Sequence, residues 1–215
     1  LGARRGVVLA AGGFSNDAGL RARYLPAETG PSSAACPTNS GDGLRFGLAA
    51  GGCMVEENTN NAYWAPVSRF QRADGTPAVY PHSVTDRGKP GFIAVDRRGQ
   101  RFTNEAVSYH EFVQAMFRAH AIPAFLICDR AGLWKYGLGA VKPFTVPLGA
   151  HLASSYLAQG SSVRALAEAL GIDPAALEAT VMRYNEDACT GVDQAFRKGS
   201  NAYGKYLGDA DHKPN

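Results

Sequence analysis

Residues 90–118 read PGFIAVDRRGQRFTNEAVSYHEFVQAMFR. Phe92 to Val95 is a short β-prone run. Asp96-Arg97-Arg98-Gly99 reads as a turn, since Gly in a hairpin-length connection supplies the backbone freedom a turn needs. The chain then returns through Gln100-Arg101-Phe102 and enters a helix near Ser108. From there the apolar residues fall at Tyr109, Phe112, Val113, Met116 and Phe117, one face of a helix. Tyr109 therefore stands in the first turn of a helix with a buried side. Its ring belongs to packing and its oxygen lies near an edge, which suits either a core tyrosine or a chemical group.

Outward from this stretch, composition sets the bounds. The chain has 215 residues, 45% hydrophobic and 19% charged, as in an ordinary globular protein with a sizeable core. Its 22 basic and 19 acidic residues leave a net charge of +3. That is too little, and too dispersed, to argue for nucleic acid or an anionic membrane surface. No apolar run approaches the length of a spanning helix. Cys36, Cys53, Cys128 and Cys189 form no CxxC pair, so neither zinc nor a redox dithiol is implied. Buried free thiols in a reducing cytoplasm are the expected state. The five histidines show no ligand spacing, and His110 points off the apolar face toward solvent. Arg101 and Glu105 read as a surface or turn-stabilising pair.

In chain order, Val7 to Ala10 reads as a continuous apolar strand, running into Ala11-Gly12-Gly13-Phe14. Such a strand suits a parallel sheet whose end approaches a ligand, or a plain strand-to-turn junction. Ser40-Gly41-Asp42-Gly43 precedes a helix over Leu44 to Ala50. It starts like a dinucleotide fingerprint but has Phe46 where the next Gly belongs; helix capping would also explain it. Cys53 to Asn61 reads as an exposed strand and turn. From Ala62 the texture becomes aromatic and Pro-rich, and a boundary falls near there; Trp64, Phe70, Tyr80, Trp134 and Tyr136 could line a substrate cleft but read mostly as aromatic core. Ala124 to Asp129 is a second core strand, followed by a loop through Trp134 and Tyr136. Ser162 to Leu170 reads as a helix with one apolar face and Gly171 as its stop, and a second helix starts strongly at Asp173-Pro174. Thr190 to Asn215 reads as a polar return path. The chain opens without Met and stops without a closing element, so it reads as an internal piece.

Several of these motifs together resemble FAD-dependent oxidoreductases of the fumarate reductase and 3-oxosteroid dehydrogenase group. RGQRFTNEAVSYHEFVQAM resembles their cap domain. Val7 to Phe14 and Ser40-Gly41-Asp42-Gly43 are similar to the segments that line FAD. Leu166 to Asn185 resembles the helix pair late in the cap, with Gly191, Asp193, Phe196 and Gly208-Asp209 following in the family order. The resemblance implies an α+β cap domain joined to part of an α/β, Rossmann-like FAD-binding domain. It implies residues 1–61 as partial FAD-binding domain, 62–195 as cap and 196–215 as a return segment. Ala11, Gly12, Gly13, Ser40, Gly41, Asp42 and Gly43 would touch the cofactor. The amino-terminal GxGxxG unit is absent, so the chain made alone is expected to be colourless.

The branch follows from what stands after Asn104-Glu105. Fumarate reductases carry an Arg there; here the run is Ala-Val-Ser-Tyr109. The resemblance to 3-oxosteroid 1-dehydrogenases implies Tyr109 as the group that takes a proton from the carbon beside the one giving hydride to FAD. It implies an apolar ketone or steroid as substrate and leaves the electron acceptor open. A free tyrosine has a pKa of about 10, so it needs help to act as a base. A fumarate-reductase-like flavoprotein and a non-enzymatic module keeping the cap fold are the other readings.

Overall fold

The computed structural model describes residues 3–213 except 57, 59, 73, 84 and 85. The chain divides into two compact units, Leu1–Tyr63 and Trp64–Asn215.

The first unit is built on two helices. Helix α1 is Ala18–Tyr24, capped by Asp17, whose Oδ1 accepts from Leu20 N at 2.8 Å. Helix α2 is Asp42–Ala49 and starts two residues before the expected Leu44. Arg45 on α2 pairs with Asp17, which ties the two helices together. The expected strand over Val7 to Ala10 is not one. Val7 and Val8 are 75% and 90% exposed, and no strand is assigned in this unit among the described residues. A β-strand needs a hydrogen-bonding neighbour, and the described residues supply none. The strand expected over 53–61 is not assigned among the described residues of that range, which are largely exposed; 57 and 59 lie outside the described residues.

The second unit contains β1 (Val67–Gln71), β2 (Pro77–Pro81), β3 (Ile93–Val95), α3 (Tyr109–Arg118), β4 (Phe125–Ile127), α4 (Arg130–Tyr136), α5 (Gly149–Ala153), α6 (Val163–Leu170), α7 (Pro174–Thr190) and α8 (Ala202–Leu207). β1 and β2 form an antiparallel hairpin with Ser68 opposite Tyr80. β3 pairs with β4, also antiparallel, Ile93 opposite Ile127 and Val95 opposite Phe125. The return through residues 100–102 is thus not the ladder partner of β3; it makes an isolated bridge, Val95 to Arg101, beside the bond from Asp96 N to Gln100 O at 3.0 Å. The stretch after Asp129 is helix, not loop. Asp129 Oδ1 accepts from Gly132 N, and Gly137 closes the helix. Residues 196–213 are part of this unit, with Leu207 buried.

Its core explains the pattern read from residues 90–118. Ile93 and Val95 share one face of β3 and pack on Ala167, Ile172 and Leu177 of the α6–α7 pair. Phe125, Ile127, Val163, Val181 and Tyr184 close the cluster. Ser162 and Asp173 cap α6 and α7 through side-chain oxygens, each cap contributing about 1 kcal/mol. The 96–99 turn sits directly against α7. Asp96 Oδ1 accepts from Arg98 N and Gln100 N at 2.9 and 3.0 Å. Gly99 has φ +74°, and a Cβ there would lie 2.9 Å from Leu177 N. Gly99→Ala is therefore expected to lower stability by about 1–3 kcal/mol, read as a shift of the denaturant midpoint. An unchanged midpoint would contradict this packing.

The thiols differ from expectation. Cys36, Cys53 and Cys189 are exposed and Cys128 is half-buried, all without disulfides. Burial pushes the Cys128 thiol up to about 12.

Candidate functional site

Tyr109 occupies the first position of α3, behind a capping box. Ser108 Oγ accepts from Glu111 N at 3.2 Å, while Ser108 N donates to Glu111 Oε2 at 3.3 Å. This arrangement satisfies first-turn donors that would otherwise lack partners. Phe112, Val113 and Ala115 are buried, and Tyr109, Met116 and Phe117 are half-buried. The apolar face read from the sequence is the packed face. His110 is not solvated as expected: its Nδ1 accepts from Trp64 N at 3.2 Å.

The approach to Tyr109 is held by a buried arginine that sequence reading missed. Arg87 is 2% exposed. It donates to the carbonyls of His82 (2.7 Å), Ser83 (2.8 Å) and Glu105 (2.8 Å), and to Val107 at 3.3 Å. Its guanidinium carbon stands 4.6 Å from the centre of the Phe112 ring. Burial pushes its pKa down to about 10. Arg87 thus splints the 82–83 backbone to the segment that delivers Ser108 and Tyr109. The five donors of a planar guanidinium suit this task, and lysine could not duplicate it.

Beneath the same segment lies a buried charge cluster. Glu105 is fully buried, and its carboxylate accepts from Arg101 Nε and Nη2, both at 2.8 Å, and from Ala94 N at 3.1 Å. Arg101 also forks onto Asp193, at 2.9 Å to each oxygen. Lys198 Nζ lies 3.9 Å from Glu105 and donates to the carbonyls of Lys89 and Phe92. Arg101–Glu105 is therefore an interior pair, not a surface one. Its i,i+4 spacing resembles a surface pair because the closing partner, Asp193, is remote in sequence. Burial opposes the charge on Arg101, but the bonds to Glu105 and Asp193 outweigh it and raise its pKa. Burial pushes the Lys198 amine down to about 8 and the Tyr184 phenol up to about 12.

The Lys198 shift has a definite sign. Between about pH 8 and 10.5 the unfolded chain holds a proton on this lysine that the folded chain has released. Stability from this group therefore rises with pH across that window. Relative to Lys198→Met, the wild-type chain is expected to gain on the order of 1–3 kcal/mol between pH 7 and pH 10. Taking the difference between the two proteins cancels the opposing titrations of Cys128 and Tyr184. A pH-independent difference in unfolding free energy would refute the assignment.

The expected cofactor residues lie in the first unit, and two glycine segments meet there. Gly41 N donates to Gly13 O at 3.1 Å, and Asn16 N donates to Asn39 O at 3.0 Å. Added Cβ atoms would lie 2.5 Å from Asn39 Oδ1 at Gly12, 2.6 Å from Leu20 Cδ1 at Gly41, and 3.5 Å from the Ala11 Cβ at Gly43. At Gly13 a Cβ would meet nothing within 4 Å. Helix α2 begins at Asp42 with no side-chain cap. Ser40 and Arg45 both donate to Asp42 Oδ1 at 3.1 Å. Ala11, Gly12 and Gly13 are thus brought against Ser40 to Gly43, while Tyr109 belongs to the other unit. Among the described residues no group of three or more His, Cys, Asp or Glu could hold a metal, and no helix is long and apolar enough to cross a membrane.

The first unit thus sets an uncapped helix start beside converging glycines, and the second mixes helices with two antiparallel two-stranded sheets and carries Tyr109. The chain belongs to the FAD binding domain family, which matches residues 1–215; the family's cofactor is FAD. It is 40% identical over 219 residues to a 4-oxocyclohex-2-ene-1-carboxylate 5-dehydrogenase of Sinomonas cyclohexanicum, covering 99% of this chain and 37% of that protein. It is 31% identical over 223 residues to a 3-oxosteroid 1-dehydrogenase of Mycobacterium tuberculosis, covering 99% of this chain and 38% of that protein. A 3-ketosteroid delta1-dehydrogenase from Sterolibacterium denitrificans, solved in complex with 1,4-androstadiene-3,17-dione, superposes with a TM-score of 0.82 at 34% identity. That match covers 100% of this chain and 39% of that one. The chain therefore spans less than two-fifths of the length of these relatives.

Proposed function

We propose that this chain is the cap and one side of the cofactor domain of an FAD-dependent dehydrogenase that introduces a C=C bond beside a ketone. In this reading residues 1–61 contribute to FAD binding, 62–195 form the cap and 196–215 lead back. The observation that carries it is Tyr109, set at a helix start behind a capping box and an arginine splint. The sequence resemblance implies the proton-accepting role for Tyr109, and relatives of the family are named as dehydrogenases of an oxocyclohexene carboxylate and of a 3-oxosteroid.

The described residues fit the cofactor. The free N–H end of a helix favours a phosphate, and α2 starts without a side-chain cap. Gly12, Gly13, Gly41 and Gly43 let backbone approach closely, and Ala11 and Ser40 flank them. Asp42 is an acceptor, suited to a hydroxyl of the ribose or ribityl chain rather than to a phosphate. When bound, FAD supplies the hydride acceptor. The task left to this chain is the proton. Tyr109 Oη takes it from the carbon adjacent to the ketone, while the rigid backbone from Glu105 to Ser108 keeps that oxygen in place.

The names of the relatives suggest two substrate classes to test. A 3-oxosteroid fits the solved relative with its bound steroid. A small cyclic oxo acid fits the 40% identical relative. The experiment compares a 3-oxosteroid, a 4-oxocyclohexenecarboxylate and fumarate in a protein of the relatives' full length, with an artificial dye as electron partner. Oxidation of either ketone supports the reading and names the substrate class. Activity on fumarate alone would replace it with the reductase reading.

A further inference from the structure

Four polar side chains of the second unit that have no role in the proposed dehydrogenation form a single hydrogen-bonded file. Asp86 is 2% exposed. Its Oδ1 accepts from Arg87 N at 2.8 Å and its Oδ2 from Gly139 N at 3.1 Å. His82 Nδ1 lies 2.6 Å from Asp86 Oδ2, and His82 Nε2 lies 2.8 Å from Ser68 Oγ. Ser68 Oγ lies 2.7 Å from Tyr156 Oη, which accepts from Ala140 N at 2.8 Å.

The polarity of this file follows from its two ends. Burial works against charge on Asp86, but bonds from His82, Arg87 N and Gly139 N hold its carboxyl below the usual range. An ionised Asp86 places the imidazole proton on Nδ1 and turns the Nε2 lone pair toward Ser68. At the other end, Ala140 N–H occupies the phenol oxygen, so the Tyr156 proton is directed to Ser68 Oγ and the Ser68 proton to His82. These proton positions are assigned from the network. They give a nucleophile within reach of a base, and a base oriented by a buried carboxylate. That is the arrangement that activates serine, recognised by geometry and not by chain order. Gly139 makes it possible, because a Cβ there would stand 2.9 Å from His82 Cε1 and collide with the Tyr156 hydroxyl. The His82 side chain is 12% exposed, and Ser68 and Tyr156 are half-buried. Phe70 stands 5.7 Å from the Tyr156 ring and Tyr80 5.3 Å from His82, giving apolar walls.

We propose that Ser68 is an activated nucleophile that accepts the acyl group of small esters. His82 is its base, Asp86 orients His82, and the Tyr156 hydroxyl is the donor to the developing oxyanion. The Ser68 Oγ–carbonyl bond forms as the ester C–O bond breaks. The serine proton passes to His82 Nε2 and then to the departing alkoxide, and water releases the acid by the same route. No oxidant or reductant is required, so this chemistry is independent of the flavin.

The test treats the chain with an alkyl fluorophosphonate, which forms a stable Oγ–phosphorus bond with loss of fluoride, and maps the adduct by peptide mass spectrometry. The expected result is an adduct on Ser68 that is lost in Ser68→Ala. Labelling should slow roughly 10²-fold or more in His82→Gln, the worth of a general base, and should also slow in Asp86→Asn. Should His82→Gln fail to fold by circular dichroism, Asp86→Asn carries the comparison. No Ser68 adduct on the folded wild-type chain, or an unchanged labelling rate in the folded variants, would overturn the proposal and leave the file as a structural tether.

Discussion

Replacing Tyr109 with Phe is expected to lower ketone dehydrogenation by roughly 10²–10⁴, the usual worth of a general base. The substitution keeps the ring on the face shared with Phe112 and Val113 and removes only the hydroxyl. Its cost in stability should not exceed about 1 kcal/mol, the net value of one hydrogen bond. FAD content should not change, because the glycine segments that would hold the cofactor belong to the first unit. A core tyrosine would give the opposite pattern, with turnover intact whatever happens to the melting temperature. Steady-state assays beside a thermal melt separate the two.

Glu105→Ala carries the largest expected loss of stability, about 3–5 kcal/mol, the cost of breaking a buried ion pair from one side. In the native cluster Glu105 and Asp193 offset Arg101 and Lys198. Removing Glu105 leaves a net positive charge in the interior and strips Ala94 N of its acceptor. Glu105→Gln keeps the shape and one acceptor oxygen and should lose less. Both are read by chemical denaturation. A loss below about 1 kcal/mol for Glu105→Ala would place the pair in solvent-like surroundings, as an exposed pair is worth no more than that.

These two residues also mark what the sequence discloses. The helices α3, α6 and α7 were legible because their signals are local: the apolar spacing from Tyr109 to Phe117, the run from Ser162 to Leu170, and Asp173 with Pro174. The 96–99 turn was legible for the same reason. Glu105 was misread because nothing local separates a surface i,i+4 pair from one closed by Asp193 and Lys198 far along the chain. The β1–β2 hairpin was hidden by Pro77 and Pro81. Proline punctuates a strand pattern, yet is tolerated on an edge strand. Helix α4 was hidden by its length of seven residues and by Gly132 within it. Val7 to Ala10 had the composition of a strand, but strand pairing is not a local property, and the described chain leaves it unpaired. Arg87 gave no signal at all, because its partners are backbone carbonyls, which carry no sequence identity. The candidate site followed the same rule. The glycine segments and Tyr109 were found through the family resemblance, and the groups that hold Tyr109 in place were visible only in three dimensions.

The most direct test of the account is a single turnover without oxygen. A protein of the relatives' full length, loaded with FAD, is mixed anaerobically with a 3-oxosteroid or a 4-oxocyclohexenecarboxylate, and the visible flavin absorbance is followed. The account predicts that one of these ketones bleaches the flavin, and that Tyr109→Phe bleaches it roughly 10²–10⁴ times more slowly at the same FAD content. Bleaching at the wild-type rate in Tyr109→Phe, or no bleaching by either ketone while fumarate reoxidises a pre-reduced flavin, would contradict it.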